Sequence, residues 1–189
     1  VHKTALQDRF NRLPHQNSFK EDTVSKSLDD LKAAFAGESQ ANRRYLAFAE
    51  KADKDGYPQV AKLFRAAAHA ETVHALAHFR AMGEVKTTAE NLQAAINGEN
   101  YEVVNMYPEF IKDAEAEGDK KALHSFRNAW EVEKIHEALY REALSTLGQA
   151  AGEEYDYYVC PICGYTHARN APDQCPVCGA PKDKFQLIG

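Results

Sequence analysis

The chain has 189 residues and a mass of 21.1 kDa, enough for one large domain or a medium domain with a small appendage. Its composition is 44% hydrophobic and 27% charged with a formal net charge of −5, which argues against broad nucleic-acid binding because phosphate neutralisation needs a basic surface. No apolar run reaches the roughly eighteen residues of a membrane span, and no secretory signal is legible, so a cytoplasmic protein is expected.

In chain order, residues 1–26 are polar, contain Pro14 and follow no sustained period, as expected of an N-terminal arm. Residues 27–148 are rich in Ala, Leu, Glu, Lys and Arg and read as helical. They carry an internal repeat: Gly56 and Gly118, Phe64-Arg65 and Phe126-Arg127, Glu71 and Glu133, and His74 and His136 all stand 62 residues apart. Gly37-Glu38 and Gly98-Glu99 stand 61 apart, a slip of one residue. Each repeat reads as helix, glycine turn, helix, with turns at Asp53–Gly56 and Glu117–Asp119. Two such hairpins predict an all-α four-helix bundle. The stretch Met82–Glu90 joins the hairpins, with Thr88 as the expected cap of the third helix. Residues 149–154 form a short joint, and residues 155–189 a small cysteine-containing module.

Core-facing positions recur at helical spacing, and each predicted helix places ionisable groups in the middle of its apolar stripe. Glu38 lies between Phe35 and Tyr45, and Glu71 and His74 follow Val60 and Phe64. Glu99 and Glu102 precede Met106 and Phe110, and Glu133 and His136 follow Phe126 and Trp130. Five carboxylates and two imidazoles inside one bundle would repel one another and resist burial, unless cations lay among them. In Glu71-x-x-His74 and Glu133-x-x-His136 a three-residue step aims both side chains the same way, so each pair can share a metal. One Glu from each of two helices, with Glu-x-x-His from each of the other two, is the ligand pattern of ferritin-like di-metal carboxylate bundles. Glu102 is an additional ligand candidate. With five carboxylates, two ferrous ions give a net charge of −1, and so do two ferric ions with an oxide bridge. His78 reads as a core histidine, His69 and His124 as exposed, and Tyr45 and Tyr107 as possible hydrogen-bond donors to ligand carboxylates.

Cys160-Pro-Ile-Cys163-Gly and Cys175-Pro-Val-Cys178-Gly are two knuckles separated by eleven residues. This spacing aims four thiolates at one tetrahedral ion. Iron and zinc both accept such a site, and an iron centre would pass the single electrons that a redox di-metal bundle needs. A module this small depends on its metal for folding.

Taken together, Gly37-Glu38-Ser-Gln-Ala, Gly98-Glu99-Asn-Tyr-Glu102, Met106-Tyr107-Pro108, both Glu-x-x-His pairs and the tail CPICGY…CPVCGA closely resemble the rubrerythrins over roughly residues 28–189. The resemblance implies a ferritin-like di-iron bundle with a β-rich rubredoxin-like domain, working as a non-haem peroxidase that reduces hydrogen peroxide to water. It implies that Glu71 and Glu133 bridge two irons, with Glu38 terminal on one and Glu99 and His136 on the other. It further implies that the first iron shifts between His74 and Glu102 as the redox state changes. A third iron would sit on Cys160, Cys163, Cys175 and Cys178. Electrons would come from NAD(P)H through a separate reductase or rubredoxin, and members form homodimers with one subunit's rubredoxin domain near its partner's di-iron site. Residues 1–26 exceed the usual family start, and the stretch between the cysteine pairs is shorter than in free-standing rubredoxins. Neither departure removes a ligand.

Three other readings compete. A ferroxidase draws electrons from its own substrate and has no use for an electron-transfer tail. An oxidase would take oxygen or an organic substrate in place of peroxide. A zinc-stabilised scaffold leaves the two Glu-x-x-His pairs without a purpose.

Overall fold

The computed structural model describes residues 25–149 and 154–189; residues 1–24 of the expected arm and most of the joint lie outside the described residues. The chain divides between Glu84 and Val85 into two units. It is helical with one small C-terminal sheet, the class that the sequence predicts.

The first unit is a hairpin of α1 (Lys26–Lys54) and α2 (Pro58–Ala81). Gly56 supplies the turn with φ +82°, a conformation that costs a residue with a side chain. The seam is lined by small residues: Ala41, Ala49 and Ala52 of α1 and Ala61, Ala68 and Ala75 of α2 are the buried side chains. Alanine lets two helix backbones approach closely, and Asn42 then reaches across to donate to the Ala68 carbonyl at 2.6 Å. Val60 lies off this seam at 45% exposed, and its neighbour Ala61 is fully buried in it. The seam selects the residue nearest the opposing backbone, and there the smaller side chain fits.

The second unit contains α3 (Thr88–Tyr101), a single π-turn (Glu102–Met106), α4 (Tyr107–Glu117), α5 (Lys120–Thr146) and the cysteine module. The N-cap of α3 is Thr87, one residue before the expected Thr88. Its hydroxyl accepts from the Glu90 N–H, and Glu90 accepts in return from the Thr87 N–H. That reciprocal box satisfies two otherwise orphaned donors and outweighs a cap without it. Gly118 turns the chain at φ +69°, and Asp119 then caps α5 by accepting from Lys121 and Ala122.

The repeat extends into side-chain packing. Tyr45, Phe48 and Phe64 form a ring cluster with centroids 5.6–6.4 Å apart. Tyr107, Phe110 and Phe126, each 62 positions later, form the same cluster at 5.5–6.4 Å. Arg65 pairs with Asp53 and Arg127 with Glu115, again 62 positions apart.

In the module, β1 (Tyr157–Val159) pairs antiparallel with both β2 (Thr166–Ala168) and β3 (Gln186–Ile188). Its core is continuous with α5: Val132, Cys160, Tyr165, Cys175 and Ala180 bury one another, with Ile135 and Phe185 against them. Among the described residues, no helix is long and apolar enough to cross a membrane.

Candidate metal centres

The Glu-x-x-His spacing works as expected. On α2, Nδ1 of His74 lies 3.0 Å from Oε2 of Glu71; on α5, Nδ1 of His136 lies 2.7 Å from Oε2 of Glu133. Each pair is joined by the carboxylate of the helix beside it. Glu38, Glu71 and His74 offer one ligand atom each within 4.8 Å of one another, and Glu99, Glu133 and His136 do the same. Oxygen and nitrogen ligands sit about 2.0–2.2 Å from a small divalent ion, so two on one ion stand at most about 4.4 Å apart. Only a slight contraction separates either group from that geometry. None of these charged side chains is fully buried in its unit: Glu71 and Glu133 are mostly covered and His74 is exposed. Six of the seven helical residues fall into two groups of three, one on each unit, and the seventh, Glu102, lies within electrostatic reach of the second group.

The groups differ in Glu102, which has no acidic counterpart on α1, and the π-turn explains the difference. Pro108 has no N–H, and its ring would clash with the carbonyl four residues back. The Tyr107 N–H instead reaches the Glu102 carbonyl, five residues back. A π-turn holds one extra residue, and that residue is the slip between the 61-residue spacing of the Gly-Glu pairs and the 62-residue spacing from Tyr107 onward. In π register the Val103 carbonyl would look to the nitrogen of Pro108 and find no proton. The indole N–H of Trp130 donates to it at 2.8 Å and closes the account.

The second group is electrostatically loaded. Burial, then the Glu133 carboxylate, raises Glu99 from its ordinary 4.5 to about 7, against the opposing pull of His136. Burial and Glu133 also raise Glu102. Tyr107 is raised by burial and then by Glu102, Glu133 and Glu99, so its hydroxyl stays protonated. The hydrogen bond to Glu133 raises His136, although burial opposes it. Without a cation, folding therefore holds protons at Glu99 that the unfolded chain releases, and stability falls as pH rises from about 4.5 to 7. With the partial exposure of the site discounted, Glu99→Gln should stabilise the metal-free chain at pH 8 by on the order of 1–2 kcal/mol and flatten its pH profile, while weakening metal binding. Melting curves of the metal-free variant and parent between pH 5 and 8 check this.

Tyr45 packs against Phe48 and Phe64, and its hydroxyl has no hydrogen-bond partner among the described residues. His78 is half-buried and joins neither group, while His69 and His124 are exposed, as expected.

The four cysteines are free thiols gathered at one point. Sγ of Cys160 lies 3.5 Å from that of Cys178, and Sγ of Cys163 lies 3.5 Å from that of Cys175. A tetrahedron with bonds of about 2.3 Å has sulfur–sulfur edges of about 3.8 Å, so the set fits a single ion. Gly164 and Gly179, at φ +86° and +79°, close the knuckles by donating to the Cys160 and Cys175 carbonyls, both at 2.9 Å. Burial raises Cys163 and Cys178. At Cys175 burial also pushes upward, but the N–H groups of Cys178 and Val177 outweigh it and hold the thiol low.

Val132 is a functional position that the stripe argument missed. It is 2% exposed, off the face bearing Glu133, and seats the module on α5. The resemblance set the module beside a partner's di-iron site; here Thr166 of the module reaches Nε2 of His136 in its own chain at 3.0 Å.

Helical carboxylate–imidazole groups together with a four-thiolate module define a ferritin-like metalloprotein with an attached rubredoxin-like domain. The family described as rubrerythrin matches residues 29–144, and the rubrerythrin rubredoxin-like domain matches residues 158–186. Rubrerythrin-2 of Clostridium acetobutylicum is 38% identical over 181 residues, covering 86% of this chain and 96% of that protein. Nigerythrin of Nitratidesulfovibrio vulgaris is 38% identical over 176 residues, covering 86% of each. A solved structure of fully reduced, all-ferrous nigerythrin covers 91% of both chains at 35% identity, with a TM-score of 0.53. The chain belongs to the rubrerythrin family of oxidoreductases. Its cofactors are accordingly a di-iron site for the helical groups and one iron for the four thiolates, which the donor chemistry of both fits.

Proposed function

We propose that this protein is a peroxidase that converts H2O2, two protons and two electrons into two waters, in defence against oxidative stress. The observation that carries this reading is the seating of the four-cysteine module on α5, the helix that bears Glu133 and His136, with Val132 in one core with Cys160 and Cys175. A one-electron carrier serves a neighbour that consumes electrons in pairs, and a ferroxidase has no need of one. Iron held by Glu38, Glu71, His74, Glu99, Glu133 and His136 would supply two-electron reduction of an O–O bond, and iron held by Cys160, Cys163, Cys175 and Cys178 would supply one-electron transfer.

In this reading residues 27–148 are the di-iron domain and residues 155–189 the electron-transfer domain. Glu38, Glu71 and His74 hold one ion; Glu99, Glu133 and His136 hold the other, with Glu102 beside them. The ligands that exchange as the redox state changes are His74 and Glu102, and the π-turn carries Glu102. Tyr107 keeps its proton at Oη through burial and three nearby carboxylates and can give it to a departing oxygen. Tyr45 contributes apolar cover through its ring cluster. A separate reductase or rubredoxin brings electrons from NAD(P)H, and the protein works as a homodimer.

The test is anaerobic reduction followed by peroxide, watched by visible absorption. The four-cysteine iron should bleach on reduction and recolour within the peroxide turnover; recolouring with oxygen but not peroxide would instead identify an oxidase. Glu102→Ala should slow peroxide turnover at least about tenfold while iron content falls far less. Equal losses in a metal-to-protein assay would make Glu102 a purely structural ligand.

A further inference from the structure

Thr166 opens β2 three residues after Cys163, and its hydroxyl stands between the module and the helix beneath. Its Oγ lies 3.1 Å from the Gly164 carbonyl and 3.0 Å from Nε2 of His136. A carbonyl only accepts, so the single Thr166 O–H is committed to Gly164 and the oxygen is left to accept. The proton it accepts is the one on Nε2 of His136. In the metal-free chain Nδ1 donates to Oε2 of Glu133 at 2.7 Å, and with the Nε2 proton held on Thr166 this Nδ1 proton is the one a metal displaces, so that ligation runs through Nδ1.

The same hydrogen-bond series continues into the knuckle. The Gly164 N–H donates to the Cys160 carbonyl at 2.9 Å and closes the turn around the thiolates. The Gly164 carbonyl is aimed by a φ of +86°, and a methyl group added there would come within 3.7 Å of Val132 Cγ1. Direction therefore runs without a break from the four-cysteine turn, through Gly164 and Thr166, to one imidazole on α5.

We propose that Thr166 is a positioning residue: it holds His136 in the tautomer that ligates through Nδ1, so that closure of the Cys160–Cys163 knuckle and metal binding at Glu99, Glu133 and His136 reinforce each other. The proposal rests on the assignment of His136 as a ligand. Beyond passing electrons, the module thereby sets the affinity of the neighbouring centre, and by reciprocity that centre stabilises the closed knuckle.

The experiment is a zinc titration of the full chain, its four-cysteine site already loaded with iron, followed at the His136 ring nitrogens by 15N NMR. Thr166→Val keeps the shape and removes the hydroxyl, and should lower zinc affinity at His136 by about 10–100-fold and abolish the slowly exchanging Nε2–H resonance. Thr166→Ser keeps the hydroxyl and should retain both. Cys178→Ser, which opens the module, should weaken zinc binding at His136 in the parent but add little in the Thr166→Val background. Unchanged affinity and a persistent Nε2–H signal in Thr166→Val would overturn the proposal. His136→Ala separates the two readings: if it abolishes zinc binding at this centre while Thr166→Val does nothing, the ligand assignment stands and the positioning role falls.

Discussion

Cys160→Ser should unfold the C-terminal module and stop donor-driven turnover, while the α1–α2 hairpin stays intact. The module has three strands of three residues each, and its buried core consists largely of two of its own cysteines, Tyr165, Ala180 and the borrowed Val132. A core that small cannot offset the entropy of ordering about thirty residues, and metal–thiolate bonds contribute on the order of 10 kcal/mol to comparable sites. Cys160 is also the fully buried ligand, and its carbonyl receives the Gly164 N–H that closes the first knuckle. The expected signature is loss of the visible absorption of the four-thiolate iron, proteolytic cleavage confined to residues after about 150, and a fall of at least about 100-fold in peroxide reduction from an electron-transfer donor. A single turnover after chemical reduction of the helical iron should survive. Undiminished donor-driven turnover would remove the electron-transfer role from the module.

The grouping of the candidate ligands was legible because metal chemistry constrains residue type and spacing together. A three-residue step on a helix can be checked from sequence alone, and the Glu-x-x-His pairs, 62 residues apart, meet Glu38 and Glu99, 61 residues apart, in matching groups. The tandem knuckles were equally readable, since Cys-x-x-Cys-Gly fixes a local turn. Features dependent on packing between distant segments were not. Ala61 supplants Val60 at the seam because the opposing backbone is close, which a hydropathy stripe does not encode. Val132 lies off the ligand face, and only the module's arrival on α5 buries it. The π-turn occupies a middle position: the one-residue slip before Tyr107 and the proline after it both announce an inserted residue. The proton for the Val103 carbonyl comes from Trp130, 27 residues away, which no local pattern encodes. Likewise Thr87 wins the cap over Thr88 through a Glu90 side chain that reaches back.

Glu133→Ala should empty the second-unit centre more completely than any other single helical substitution, with little loss of fold. Glu133 is the common neighbour there: it bonds His136, raises Glu99 and Glu102, and contributes to the rise at Tyr107. Loss of a ligand that several others depend on should weaken iron binding by more than about 100-fold, beyond the usual effect of losing a supporting partner. Stability of the metal-free chain responds to two opposed changes. The hydrogen bond to His136 disappears, but so does the repulsion that Glu133 imposes on Glu99 and Glu102. These offset, so the melting temperature of the metal-free variant should stay within a few degrees of the parent, while the stabilisation normally gained on adding ferrous iron shrinks. Glu71→Ala is the internal control. Its carboxylate bonds His74 in the same way, but among the described residues no third carboxylate such as Glu102 joins that group. Anaerobic iron titration followed by melting in both variants distinguishes the cases. An intact iron-dependent rise in melting temperature in Glu133→Ala would mean that the acids of α3 and the π-turn hold the ion without α5, contrary to the geometry in which Glu133 joins them to His136.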